Sequence, residues 1–358
     1  MNAHQSSVVT QPVKKAKGRL TGLDVARAMA IVGMVWVNFR MHMYGVGTAP
    51  KWAEMLDGRA AALFVMLAGV GVSLMSRNKT AAEVRPVIWR RAAVLYVVGM
   101  AWSPVWFADI IHYYGVWLAM AALLVKASSR VLAGLAAATV FTSTVLMVTM
   151  DWTAGWDFTT LQYTEFWTLT GQLRHLLFNG LHPVFPWFAF MLVGMIVGRW
   201  DLSSARVQKR MVAGGLTVWA AFEVISDLLI EATTPVLGEE IAPFLFGSGS
   251  MPPTALYALA AGALAIAAIG AAQWFVQKAG DILLVRALTH LGQLSLSVYI
   301  VHGVVSLLGY HFLLGVPLIP FVVPATVVFS LLALVAAHHW RLRHKRGPFE
   351  LLLRKVAG

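Results

Sequence analysis

Ten runs of apolar residues, each about as long as a bilayer is thick, divide the chain near 20–41, 56–76, 86–105, 108–125, 130–150, 183–199, 210–230, 252–276, 291–313 and 317–338. The runs are unbroken, as in AIVGMVWVNF at 30–39, where a spanning β-strand would alternate apolar and polar side chains. They therefore predict helices and exclude a barrel, because a helix satisfies its own backbone hydrogen bonds inside hydrocarbon. The expected fold is all-α, a polytopic integral membrane protein of about ten transmembrane helices. A polar tail at 1–19 precedes a multi-helix domain at 20–338, and a basic tail follows at 339–358. The first apolar run is too long for the core of a cleaved signal peptide and reads as an uncleaved helix. Residues 151–182 form the longest connection.

Composition agrees with this pattern, with 59% of the 358 residues hydrophobic and 12% charged, against about a quarter charged in soluble chains. A net charge of +12 would suggest nucleic acid as a partner if it gathered on one face. Instead 23 of the 28 Lys and Arg fall in the tails and alternate connections, beginning with Lys14, Lys15, Lys17 and Arg19 and ending with Arg341 to Lys355. The positive-inside rule then sets both termini in the cytoplasm, with no role for nucleic acid. The chain has no cysteine, which excludes disulfides, thiolate metal sites and a Cys nucleophile. HExxH, EF-hand, GxxxxGK[ST] and GxSxG patterns are also lacking, so no metal and no serine-hydrolase site is expected.

Some features read as structural. Trp102, Trp106, Trp152, Trp156 and Trp187 fall at the predicted outer ends of the spans, where indole rings anchor helices at the headgroups. Gly69, Ser73 and the Ala/Gly-rich stretch at 255–272 predict close helix packing. The segment TEFWTLTGQLRHLLFNG at 164–180 is amphipathic, and either lies on the membrane surface or caps a cavity. The C-terminal tail is basic and amphipathic and suits anionic inner-leaflet lipid.

Ionisable groups at membrane depth are functional candidates. Asp24, Arg27 and Asn38 share one face of the first helix, with Asp24 and Arg27 three apart in its first turn and able to form an ion pair. Asn38 lies about 16 Å further along. Asp109, His112 and Tyr113 open the 108–125 helix, where Asp109 either caps the helix or orients His112 as a general base. His182 precedes Pro183 and Pro186 at the mouth of a broken or late-starting helix. Ser295, Tyr299 and His302 share a face, and His302 is either a helix-to-helix hydrogen bonder or part of a site. His42, His112, His175, His182, His302 and His311 all fall in the predicted outer half. Glu223, Asp227 and Glu231 form a like-charge stripe, so one is protonated or the stripe faces water or a cation.

Several of these segments resemble the YeiB-type bacterial membrane proteins, which are similar to the heparan-α-glucosaminide N-acetyltransferase-like and acyltransferase-3 families. The segments are LDVARAMAIVGMVWVNF, ALFVMLAGVGVSL, DIIHYYGV, HPVFPWFAFMLVGMIVGR, LGQLSLSVYIVH and RGPFELLLR, and together they cover almost the whole chain. Arg27 and Asn38 keep the spacing of an opening motif in which Arg is followed, ten residues intervening, by Asn or His. The resemblance implies transfer of an acyl group, usually acetyl, from cytoplasmic acyl-CoA to the hydroxyl or amine of an extracytoplasmic glycan, lipid or small molecule. On that reading Arg27, Arg90 and Arg91 face the CoA phosphates, Asn38 approaches the acyl carbonyl, and an outer histidine takes the acceptor's proton. The chain departs from the heparan-type pattern in the first external stretch, RMHMYGVGTAPKW, which has His42 but no later histidine. The base therefore does not carry over, and His182, then His112 with Asp109, are inferred from their own surroundings. Two alternatives stay open: a transporter or flippase lined by Arg27, Glu223, Asp227 and the histidines, and an accessory membrane protein. Membrane lipid is an expected partner, and a homodimer is left open.

Overall fold

The computed structural model describes residues 19–44, 51–106, 108–158, 160, 162–312 and 321–358. Lys14, Lys15 and Lys17 and the side chains of His42 and His311 lie outside the described residues. A helix occupies each predicted apolar run: α1 (Thr21–Tyr44), α3 (Arg59–Ser76) after the short α2 (Lys51–Glu54), α4 (Ala81–Trp102), α5 (Ile111–Leu123) and α6 (Ser129–Thr149). Then come α7 (Leu169–Arg174), α8 (Val184–Val197), α9 (Ala205–Phe246), α10 (Ala255–Ala279), α11 (Leu283–Gln293), α12 (Ser295–Phe312), α13 (Val322–Arg343) and α14 (Pro348–Ala357). The only sheet among the described residues is a two-stranded hairpin pairing Trp156–Asp157 with Gln162–Tyr163.

Among the described residues six helices are long and apolar enough to cross a bilayer, or eight spans if each of two bent pairs counts as one. The two remaining predicted spans are α4, which carries Arg85, Arg90 and Arg91, and α5, which has 13 residues and rises about 20 Å.

α8 is buried along almost its whole length, while α6, α9 and α13 expose large apolar side chains such as Phe141, Leu228 and Leu332. Lipid tails are as apolar as leucine, so these helices gain nothing from hiding them. Close approach therefore decides which helices pair. Gly69 of α3 and Gly194 of α8 face one another so tightly that a Cβ on either would overlap backbone of the other helix. Gly270 of α10 meets α9 at Met211 in the same way, so the packing faces expected at Gly69 and at 255–272 are realised.

Four features depart from the sequence reading. α9 runs well past residue 230, turning at Gly238, whose φ of 87° suits a residue without a side chain. Its Glu223 is paired with Arg59 at 2.5 Å and so leaves the expected like-charge stripe, while Asp227 and Glu231 are exposed, as one of the alternatives for the stripe had it. Trp106, Trp152 and Trp187 are core residues, at 1%, 5% and 0% exposed, because facing aromatic rings supply a better partner than headgroups. Lastly, the predicted 291–313 helix is two helices meeting at a 77° bend between α11 and α12.

The C-terminal tail explains that bend. Glu350 of α14 accepts the Leu296 and Ser297 backbone N–H groups at 2.8 and 3.0 Å and the Ser297 hydroxyl at 2.5 Å. A carboxylate thus satisfies donors that the start of α12 leaves without intrahelical partners. α14 packs on α4, and its Ala357 is fully buried, so the tail is a structural part of the bundle as well as a basic surface. Glu350→Ala is expected to cost about 1–3 kcal/mol, read as a lower melting temperature in detergent and earlier proteolysis after residue 343, with Glu350→Gln losing less.

Candidate active site

The residues singled out in the sequence gather at the two ends of α1. At one end the Asn38 side-chain amide donates to His302 Nε2 at 2.7 Å, joining α1 to α12. His302 is fully buried, with Trp106 edge-on to its ring at 6.1 Å. One turn earlier on α12, the Tyr299 hydroxyl accepts the Ile110 N–H at 3.2 Å and donates to the Ala108 carbonyl at 3.4 Å, which fixes the start of α5.

Asp109 contacts both the start of α5 and the His112 ring. Its carboxylate accepts the Ile111 and His112 N–H groups at 2.9 and 3.1 Å, capping α5, and also accepts the His112 Nδ1–H at 2.6 Å. His112 is 2% exposed, and its Nε2 has no hydrogen-bond partner among the described residues. α4 comes so close at Gly99 that no Cβ would fit against the His112 backbone.

Asn38 and His182 wall the same cavity, of about 250 Å³, together with Arg40, Asp57, Tyr299 and Met251. His182 sits in the break between α7 and α8, where the two segments bend by 52°. Pro183 has no N–H, and as the residue before a proline His182 is disfavoured in helical geometry. A half-buried imidazole is thereby held against Trp187, 4.6 Å away ring to ring, and its Nδ1 has no hydrogen-bond partner among the described residues. His112 and His302 stand behind this wall and do not line the cavity. The far side is formed by 249–251, a loop fastened by Glu223, which receives hydrogen bonds from Arg59 at 2.5 Å, the Ser248 hydroxyl at 2.5 Å and the Trp219 indole at 2.8 Å.

At this end Arg40, Asn179 and Tyr163 escaped the sequence reading as site residues, and His175 entered it only as one of the outer-half histidines. Arg40 is 2% exposed and its guanidinium is paired with Asp57. His175, within segment 151–182, has the Tyr113 hydroxyl 3.0 Å from its ring nitrogen, and its ring stacks at 5.8 Å on His112. Asn179, fully buried, donates to the Trp152 and Ala154 carbonyls at 2.9 and 2.7 Å and accepts from Tyr163 at 3.0 Å. Burial raises the Tyr163 hydroxyl above its ordinary pKa, while Arg174, donating to it at 2.7 Å, pulls it back down. Segment 151–182 therefore buries one face, through His175, Phe178 and Asn179, and leaves Trp167, Leu169 and Leu173 exposed on the other. The only sequence signal for these residues was a polar or aromatic side chain inside an apolar stretch.

At the other end of α1, the Asp24 carboxylate accepts from Arg27 at 2.6 Å, Arg19 at 2.8 Å and Gln293 at 3.2 Å, so the expected ion pair is one part of a larger network. Arg341 donates to Gln293 at 2.8 Å. Two cavities flank this network. One, of about 470 Å³, is lined by Arg19, Asp24, Arg27, Arg77 and Asp201. The other, of about 370 Å³, is lined by Arg19, Arg91, Arg341, Lys345, Arg346 and Arg354. Arg27 and Arg91 thus face different cavities that share Arg19. Arg90 lines neither, since its Nε returns to the Pro86 carbonyl of its own helix at 3.3 Å. Among the described residues no three His, Asp or Glu side chains are grouped to hold a metal ion.

The family model described as heparan-alpha-glucosaminide N-acetyltransferase, catalytic, matches residues 19–226. A second, described as protein of unknown function (DUF418), the YeiB-type family, matches residues 203–358. No curated protein and no solved structure matches the chain. The two matched stretches meet within α9, and the Asn38–His302 hydrogen bond crosses between them.

Asn179→Ala would strand three buried partners, each worth about 1–3 kcal/mol. Amide hydrogen exchange across 152–165 is expected to rise sharply, with the rate across α8 much less affected.

Proposed function

The chain belongs to the family described as heparan-alpha-glucosaminide N-acetyltransferase, catalytic, and from that premise we propose that it is a multi-pass acyltransferase of a bacterial inner membrane. It takes an acyl group, acetyl in the leading case, from cytoplasmic acyl-CoA and passes it to the hydroxyl or amine of an extracytoplasmic acceptor. Both termini and the Arg27 end of α1 are cytoplasmic on this reading, about ten helices cross the bilayer, and the Asn38 end faces outward.

The observation that carries the reading is that Asn38 and His182, far apart in sequence, wall one cavity. Asn38 shares its helix with Arg27, which lines a basic cavity about 16 Å away. Polyphosphate donors are held by such clustered cations, and the two adjoining cavities at that end carry Arg19, Arg27, Arg77, Arg91, Arg341 and Arg346.

In the reaction the acceptor oxygen or nitrogen attacks the thioester carbonyl. His182 takes the acceptor's proton as the new C–O or C–N bond forms. Asn38 offers its amide N–H to the oxygen on which negative charge develops, and His302 holds that amide in place. The C–S bond breaks, CoA leaves as thiolate, and the proton on His182 returns to that sulfur. Asp109 and His112 sit behind His182 and Tyr113 and keep this region polar where water is scarce.

A transporter or flippase is the second reading, favoured by the two bent helix pairs, since discontinuous helices form substrate sites in transporters. Ligand binding separates the two. Acetyl-CoA at a hundred times its Kd is expected to stabilise the purified protein by about 2.7 kcal/mol, with a smaller shift in Arg27→Ala; no shift at millimolar acetyl-CoA favours transport. His182→Ala is expected to slow transfer by about 10²- to 10⁴-fold in single-turnover assays, and unchanged rates in both His182→Ala and His112→Ala refute the site.

A further inference from the structure

The largest of these cavities is unused by the mechanism above. It is a groove of about 610 Å³ along the side of the bundle, lined by Ala28, Gly33 and Trp36 of α1, Leu264 and Ala268 of α10, and Thr326 of α13. From Ala28 to Trp36 it follows α1 for about 12 Å, most of the roughly 15 Å that one leaflet's hydrocarbon occupies. Small side chains such as Ala28, Gly33 and Ala268 make the recess, and of its polar lining groups Arg59 is paired with Glu223 and Trp36 with the Ala53 carbonyl, which leaves Thr326. Thr326 is 7% exposed and its hydroxyl has no hydrogen-bond partner among the described residues. A purely structural crevice between helices would leave that donor unmet, whereas an ester or ether oxygen on an apolar chain would accept from it.

Leu56 and Ala60 belong to the walls of both this groove and the cavity holding Asn38 and His182. The rim between them is apolar and open: Trp52, Met55 and Leu56 are 59%, 55% and 42% exposed. Trp36 fastens the rim by donating to the Ala53 carbonyl at 2.9 Å, with its ring 5.9 Å from Trp52.

Past the rim, the Asn38 cavity holds unmet groups of both kinds. Among the described residues Arg40 Nε and Nη1 have no hydrogen-bond partner, Nη1 only an ion-pair contact with Glu54 at 3.7 Å, and Asp57 Oδ1 has none either. Neighbouring hydroxyls, which both accept and donate, satisfy such a set. An anionic head group would satisfy Arg40 but meet the carboxylates of Glu54 and Asp57, two against one guanidinium. We infer that the acceptor is a membrane lipid with an uncharged, hydroxyl-rich head, a sugar or polyol, whose chain lies in the α1–α10 groove while the head enters over Leu56 to reach Asn38 and His182. This inference rests on the acyl-transfer reading for the word acceptor, and on the cavities alone for the lipid.

The test uses the full chain in phosphatidylcholine nanodiscs and a dodecyl glucoside carrying a diazirine in its chain. Light is expected to label peptides containing 28–36 and 264–268. Dodecyl glucoside should suppress that labelling, while dodecyl phosphocholine and methyl glucoside should not. Ala268→Phe, which fills the groove, and Arg40→Gln, which removes the head's donors, are each expected to lower it by about tenfold or more. Label spread over the exposed faces of α6, α9 and α13, or suppressed equally by dodecyl phosphocholine, overturns the inference. If either variant fails to fold, the wild-type labelling map and competition still decide. Acetyl-CoA stabilisation measured on the same preparation keeps the two ideas apart: confined label without stabilisation retains the lipid site and discards acyl transfer, and stabilisation with diffuse label does the reverse.

Discussion

Asp24 places a carboxylate where water hardly reaches, 1% exposed at the start of the most centrally packed long helix. An ion so placed costs several kcal/mol unless its partners are close and fixed. Here they come from three directions: Arg19 in the chain entering α1, Arg27 one turn on, and Gln293 at the end of α11, itself held by Arg341 of α13. Gly292 completes the arrangement, since its missing side chain lets α11 rest against the Asp24 backbone. The network fixes the height of α1 relative to α11 and, through the short bend, to α12. Asn38 meets His302 only when that height is right.

Much of the fold was legible because apolar runs and helix periodicity are local properties. The apolar runs, the shared face of Arg27 and Asn38, and the local pairing of Asp109 with His112 all depend on neighbours within a few turns. What stayed hidden depends on partners far away in the chain. Asn38 needed a partner, and nothing near it said that the partner was His302. The tryptophans were read by a rule for helix ends at headgroups, yet Trp106 and Trp187 are enclosed by rings from other helices. Arg40 and Asp57 lie near the ends of two different apolar runs, and only folding sets them side by side in one cavity. Glu350, within a tail read as lipid-facing, turned out to satisfy a helix end more than fifty residues earlier.

The two family matches describe neighbouring stretches of sequence but not separate bodies. Asn38 and His182 belong to the first, and His302, Tyr299 and Met251 to the second, and the interactions at both ends of α1 cross the division. A chain reduced to either stretch would lose a wall of the Asn38 cavity and half of the Asp24 network. The departure from the heparan-type histidine pattern reads differently in that light. The imidazole beside Asn38 comes from the far half of the chain, in a position that supports the amide and does not face the cavity.

The clasp between Glu350 and α12 also has a meaning in time. Synthesis runs from the N-terminus, so α11 and α12 are made and enter the membrane well before the ribosome reaches residue 350. Until then the N–H groups of Leu296 and Ser297 lack the carboxylate that satisfies them in the finished bundle. A nascent chain stalled before that point carries an uncapped helix break beside the cavity lined by Arg91 and Arg341, and only a chain extended past Glu350 can close it.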